Sequence, residues 1–213
     1  MSKTYLLTRP EHDDTTYYLS NWIGLTIKSA EDKGFKVFDL RGKRASRTEV
    51  ENILREFSPN LVVLNGHGDS GMVTGHDNQP IIEAGKNESL LKSKIVYAIS
   101  CKSGHILGPR SIEAGATSYT GYDDDFIFLF EPTNVSRPLQ DDTAKQFLET
   151  SNLFVNSLVK GNSVQESQGK AKEMLRGSLV KFLNSDKPDT DMVRYLWWDL
   201  RHFVSHGDQD AKL

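Results

Sequence analysis

The sequence has little of what would place the protein in a membrane, on nucleic acid or in an oxidising compartment. Its 213 residues contain one cysteine, Cys101, so an internal disulfide is excluded. No apolar run approaches the roughly 18 residues that a membrane-spanning helix needs. The 26 Lys and Arg residues nearly balance 29 Asp and Glu residues. Because no charge of one sign dominates, we expect no nucleic-acid partner and no membrane association.

The length and the first residues indicate one cytoplasmic domain. Residues 1–5 lead directly into a strand-like segment and lack the layout of a signal peptide. A chain of 213 residues suits one large domain. We expect a single domain over residues 1–213, with a sheet core at about 4–121 and C-terminal helices and a final strand at about 141–213.

Hydrophobic periodicity predicts alternating strands and helices. Two short, wholly apolar runs, residues 61–64 and 95–99, are typical of strands buried on both faces of a parallel sheet. Apolar spacing and turn residues further predict strands at 5–8, 35–40 and 116–121, helices at 15–33, 46–57 and 106–114, and a hairpin at 72–84. This order indicates an α/β fold, a three-layer αβα sandwich with a mainly parallel sheet.

The C-terminal part is predicted to be helical at first. Residues 143–159 carry a broad apolar face, and a capping box at Ser163 opens a second helix that ends at Leu183. Residues 184–190 are predicted as a polar loop. The aromatic segment 192–204 is compatible with a helix throughout or with a helix that gives way to a strand near its end.

Two strand ends carry chemically useful side chains. The strand at 61–64 runs into Gly66-His67-Gly68, and the strand at 95–99 runs into Ser100-Cys101. Functional groups gather at the carboxyl ends of parallel strands, and adjacent strands lie about 4.8 Å apart. We therefore expect the imidazole of His67 and the thiol of Cys101 in one site, where an imidazole can activate a thiol nucleophile. Gly68 would allow backbone amides to approach a reacting carbonyl.

These motifs resemble those of the cysteine peptidase clan that contains caspases, metacaspases, gingipains and bacterial CHAT domains. The resemblance implies a caspase-like fold and a cysteine endopeptidase that hydrolyses protein or peptide substrates through an acyl-enzyme, without a cofactor or metal. It implies His67 as the catalytic base and Cys101 as the nucleophile, with the amides of Gly68 and Cys101 as the oxyanion hole. The hairpin at 72–84, the helix pair at 143–183 and residues 205–208 also resemble parts of that clan.

The residues around the cysteine depart from the clan's best-known signatures. Ile99-Ser100 replaces the Gln-Ala that precedes the caspase cysteine, and no acidic residue stands there to bind a basic P1 side chain. The run Asp123-Asp124-Asp125 follows the fifth strand, and Asp123 and Asp125 are our candidates for that specificity role. The same run is also compatible with a solvated acidic turn or a Ca²⁺ site.

Other interpretations stay open at this point. His76 and His105 are alternative bases, and Cys101 could be an inert buried residue in a non-catalytic interaction module of the same fold. Residues 66–71 also match G-x-G-x-x-G, but no helix is predicted after them, as a dinucleotide site would need. If the protein is a peptidase, we expect self-cleavage, a regulatory protein partner or Ca²⁺ to control it.

Overall fold

The computed structural model describes residues 3–185 and 189–213. The strands of this part of the chain are β1 (Thr4–Arg9), β2 (Lys36–Arg41), β3 (Leu61–Asn65), β4 (Gly68–Asp69), β5 (Met72–Thr74), β6 (Pro80–Glu83), β7 (Ile95–Ile99), β8 (Ser118–Tyr122) and β9 (Phe203–Gly207). Its α-helices are α1 (Asp14–Asp32), α2 (Arg47–Phe57), α3 (Leu107–Glu113), α4 (Asp142–Val159), α5 (Val164–Leu183) and α6 (Thr190–His202).

Six of the strands form one mostly parallel sheet in the order β2-β1-β3-β7-β8-β9. The first five in that order pair in parallel, and β9 pairs antiparallel with β8 at the edge. The predicted α/β fold with a mainly parallel sheet is therefore confirmed. Strands β4, β5 and β6 form a separate antiparallel sheet, which contains the predicted hairpin.

Helices flank both faces of the six-stranded sheet because its central strands are apolar on both sides. Alternate residues such as Tyr5, Val63 and Tyr97 pack in the cluster that contains the apolar faces of α1, α4, α5 and α6. Their neighbours, such as Leu6 and Val62, pack in the cluster that contains α2, α3 and the hairpin. Successive side chains of a strand point to opposite faces of the sheet. A strand covered by helices on both faces therefore needs a wholly apolar run, as the sequence has at 61–64 and 95–99.

The helix boundaries follow the capping signals in the sequence. The Ser46 hydroxyl accepts from the Glu49 amide at the start of α2, and Ser163 and Glu166 form the predicted capping box of α5. The segment left open at 192–204 is helical to His202 and continues as β9. Among the helices of residues 3–185 and 189–213, none combines the length and the hydropathy of a membrane-spanning segment.

Two sequence predictions fall partly outside the described residues. Residues 186–188, at the centre of the predicted polar loop, are not described, and α6 begins at Thr190, the last residue of that predicted loop. Met1 and Ser2, which entered the argument against a signal peptide, also lie outside the described part.

Candidate active site

The ends of β3 and β7 lie side by side, as the sequence predicts. Asn65 pairs with Ile99 in the parallel register, and the Gly66 amide donates to the Ile99 carbonyl oxygen at 3.3 Å. Beyond them, a Cβ atom placed on Gly68 would stand 3.0 Å from the Ser100 Cβ and 3.2 Å from the Cys101 carbonyl oxygen. The same atom would lie 2.7 Å from the backbone oxygen of Met72. A side chain at this position would therefore force the backbone to move, and glycine is what allows the two strand ends to touch.

The His67 side chain makes its hydrogen bond with a residue that the sequence did not single out. Its Nε2 lies 2.7 Å from Oδ2 of Asp13, and both side chains are 38% exposed. When Asp13 is ionised, Nε2 must carry the proton that it donates. Nδ1 then carries the lone pair, which is the form that a general base requires.

Asp13 is held in place by the start of α1. It is the N-cap residue, and its Oδ1 accepts from the amide and the hydroxyl of Thr16, each at 2.8 Å. Partial burial alone would raise the pKa of Asp13, but the hydrogen bonds from Thr16 and His67 hold that pKa below its usual value. One carboxylate oxygen thus caps the helix and the other faces the imidazole. Because β1 lies next to β3 in the sheet, the start of α1 reaches the histidine.

The thiol of Cys101 is half-buried at the same edge of the sheet. It donates to the carbonyl oxygen of Phe126, with 3.7 Å between the sulfur and the oxygen, and it makes no hydrogen bond with His67. Burial first, and then the nearby carboxylate of Asp125, raise the pKa of the Cys101 thiol above its ordinary value. The resting thiol is accordingly protonated at neutral pH.

The three consecutive aspartates have different partners. Asp123 lies 2.7 Å from Nδ1 of His202, whereas Asp125 lies 3.2 Å from the ammonium of Lys102 and Asp124 3.9 Å from it. Of the two specificity candidates, Asp125 is the one beside the cysteine, and Asp123 is engaged with α6. The structure therefore separates two residues that the sequence treats alike.

Helix α6 anchors the loop that carries these aspartates. The indole of Trp198 donates to the Asp125 carbonyl oxygen at 2.9 Å, and the buried Asp199 accepts from the Ile127 amide at 3.1 Å. Burial raises the pKa of Asp199 well above its usual value. The side chains of Trp198 and Asp199 thus fix the loop beside Cys101. The sequence could not reveal this role, because it did not decide between helix and strand for residues 192–204.

A cleft of about 370 Å³ opens next to His67. It is lined by His67, Gly68, Asp69, Met72, Thr74 and Asn78. Its walls come from the ends of β3 and β4 and from the hairpin. A ligand in this cleft would contact the imidazole directly, on the hairpin side of the site.

Three alternative interpretations find different support. His105 is exposed, and His76 lies near Asp77, with 3.7 Å between Nε2 and Oδ1. The contact of His76 is longer than the 2.7 Å bond between His67 and Asp13. The G-x-G-x-x-G match at 66–71 contains strand β4 and is followed by β5 rather than by a helix, so the turn that cradles a dinucleotide does not form there.

Comparison of the sequence with models of known protein families gives no match, and comparison with curated protein sequences gives none either.

Proposed function

We propose that this protein is a cysteine endopeptidase of the caspase-like clan. The observation that carries the proposal is the 2.7 Å contact between His67 and Asp13, at the strand end that adjoins Cys101. A nucleophile, a histidine and a group that orients the histidine form the arrangement that covalent hydrolases use. The hairpin after β3, the antiparallel helix pair and the final strand add support, since each is a feature of the resemblance drawn from the sequence.

Each step of the proposed reaction has a residue to perform it. Asp13 holds the Nε2 proton of His67, and Nδ1 accepts the proton of the Cys101 thiol as the sulfur attacks the peptide carbonyl carbon. The amides of Gly68 and Cys101 donate to the developing oxyanion. His67 then gives its Nδ1 proton to the leaving amine, and the C–N bond breaks. Water, deprotonated by Nδ1, attacks the thioester and releases the acid and the thiol.

The protonated resting thiol bears on how this reaction starts. Because burial and Asp125 raise the pKa of Cys101, the free enzyme holds little thiolate at neutral pH. The proton therefore moves to His67 during the attack rather than before it. A basic P1 side chain would assist this transfer by neutralising the Asp125 carboxylate, which raises the pKa of the thiol.

Asp125 also supports a preference for substrates with a basic P1 residue. Its carboxylate is partly exposed, stands beside the nucleophile and already pairs with the ammonium of Lys102. Lys102 has a left-handed backbone, with φ of 58°, at the position directly after Cys101. A substrate Lys or Arg can take the place of this internal lysine on Asp125, which would give the pocket its charge selectivity.

Replacing Asp125 with asparagine should change two properties in opposite directions. Peptides with Lys or Arg at P1 should lose about tenfold or more in kcat/KM, since their counter-charge is removed. Alkylation of Cys101 by iodoacetamide should become faster at a fixed pH near neutrality. The lost carboxylate had raised the pKa of the thiol, so its removal increases the thiolate fraction.

Asp123→Asn is the matched control, because it removes the same charge from the same loop but from a carboxylate that pairs with His202. We expect it to change the two rates much less than Asp125→Asn does. Equal effects of the two variants on P1 preference would contradict the assignment of Asp125.

The proposed activity is tested by digesting a proteome-derived peptide library and identifying the new termini by mass spectrometry. We expect cleavage after Lys and Arg, and the intact mass of the enzyme in the same samples shows whether self-cleavage accompanies activity. The rival proposal is a non-catalytic module that binds a protein partner, which is favoured by the absence of a hydrogen bond between the thiol and His67. A library left uncut by the intact chain would favour that rival.

A further inference from the structure

His12, Asp13 and His67 converge on one point beside the cleft. Each side chain offers one potential ligand atom, and these three atoms all lie within 4.8 Å of one another. No other group of this kind occurs among the residues that the structure describes. We propose that these three side chains bind a divalent transition metal of the zinc class, and that the ion inhibits the enzyme by occupying His67. The inhibitory half rests on the proposed peptidase function, whereas the binding half does not.

The two histidines already face the same carboxylate oxygen. Oδ2 of Asp13 lies 2.7 Å from Nε2 of His67 and 3.6 Å from Nε2 of His12. Ligand atoms of a tetrahedral zinc ion are about 3.3 Å apart, because each lies roughly 2.0–2.1 Å from the metal. Small rotations of the two rings would therefore bring all three atoms into ligand positions.

A fourth potential ligand atom, an amide oxygen, lies next to this set. Oδ1 of Asn78, from the hairpin, is 3.1 Å from Nε2 of His12. The Asp13 carboxylate is also fixed in orientation, because Thr16 binds its other oxygen. Two imidazoles and one carboxylate favour zinc and its neighbours over Ca²⁺ or Mg²⁺, which prefer sets made of oxygen alone.

The surroundings of His12 indicate moderate rather than tight binding. Its Nδ1 is buried and has no hydrogen-bond partner among the described residues. Histidines that bind metals tightly donate this second nitrogen to an acceptor, and loss of such a contact costs about 10–100-fold in affinity. A reversible, regulatory ion fits this site better than a permanent structural one.

Inhibition would follow from the position of one proton. A metal ion on Nε2 of His67 takes the lone pair of that nitrogen, and the neutral imidazole then carries its proton on Nδ1. A protonated Nδ1 cannot accept the thiol proton of Cys101. The ion also replaces the hydrogen bond between Nε2 and Asp13, which sets the ring in its active tautomer. The number of protons on the ring does not change.

Binding is measured first, on protein without the thiol. Isothermal titration of Cys101→Ala protein with ZnCl₂ should show one site. Adding His12→Ala or His12→Gln should weaken that site by about tenfold or more, since one of three ligands is lost. As a control, His105→Ala is added to the Cys101→Ala protein instead. This exposed histidine lies outside the set, and its removal should leave the zinc affinity unchanged. Thermal unfolding identifies a variant that fails to fold, and two replacements of His12 keep the test decisive.

Inhibition is measured next, on protein with its cysteine. ZnCl₂ should slow peptide hydrolysis and EDTA should restore it, and His12→Gln should raise the half-inhibitory concentration by about tenfold or more. Each protein is compared with its own rate in EDTA. Failure to bind zinc in the calorimeter, or equal binding with and without His12, would overturn the metal site. Binding without inhibition of an active enzyme would overturn its regulatory role, and an enzyme inactive under all conditions would count against the peptidase proposal alone.

Discussion

Cys101→Ala should lower the rate of peptide hydrolysis by at least about 10³-fold, because no acyl-enzyme can form without the thiol. The fold should survive, since the hydrogen bond that the sulfur makes to the Phe126 carbonyl oxygen is long, at 3.7 Å. Hydrolysis of a fluorogenic peptide with Lys at P1, together with a thermal unfolding curve, measures both expectations. His105→Ala replaces an exposed side chain four positions away and should leave the rate within about twofold of wild type, since surface changes away from a site have small effects.

The result that would contradict this expectation is measurable hydrolysis by purified Cys101→Ala protein at the wild-type rate. Loss of activity in His105→Ala alone would transfer the role of base to that histidine, which the sequence kept as an alternative to His67.

Asp13→Asn should reduce kcat by about 10²–10⁴-fold while leaving the protein folded. Asparagine is as good an N-cap as aspartate, so its amide oxygen can still accept from the Thr16 backbone. Its NH₂ group then faces Nε2 of His67 and can only donate to it. Nε2 must become the acceptor, the proton moves to Nδ1, and the ring holds the tautomer that cannot take the thiol proton. Steady-state kinetics with Asp13→Asn and wild type in parallel measures the loss.

Asp14→Asn is the control for this substitution. It makes the same chemical change at the next residue, which is exposed in the first turn of α1. We expect it to lower neither kcat nor stability appreciably. If Asp13→Asn keeps full activity, Asp13 acts only as the N-cap of α1, and its contact with His67 has no part in the chemistry.

The sequence was sufficient to place His67 and Cys101 at one edge of the sheet because both follow wholly apolar runs. Such runs require burial on both faces, burial on both faces implies a parallel sheet, and a parallel sheet gathers its strand ends at one edge. Each step in that chain of inference is local except the last. The register between Asn65 and Ile99 then placed the two loops side by side.

Asp13 escaped the sequence argument because its role depends on a contact across 54 positions. Locally it is an N-cap, with Thr16 as its partner three residues on, and that function alone accounts for an aspartate there. Its second oxygen acquires a meaning only when β1 is known to lie beside β3. A readable signal was the position itself, shortly after the first predicted strand, since parallel strands gather functional groups at their carboxyl ends.

The difference between Asp123 and Asp125 was also beyond reach of the sequence. Adjacent aspartates in a loop have no periodicity that assigns a direction to each side chain. Helix α6 sets the difference, since His202 binds the Asp123 carboxylate and Trp198 holds the Asp125 backbone. The segment that decides the matter was the one whose secondary structure the sequence left open.

The central claim is that His67 activates Cys101 toward a peptide carbonyl. The most direct test is the rate at which a peptidyl acyloxymethyl ketone with Lys at P1 modifies the protein, followed by intact mass and peptide mapping. We expect one adduct, on Cys101, formed about 10²-fold or more faster in wild type than in His67→Ala, as loss of a general base predicts. No adduct on Cys101, or the same rate with and without His67, would contradict the claim.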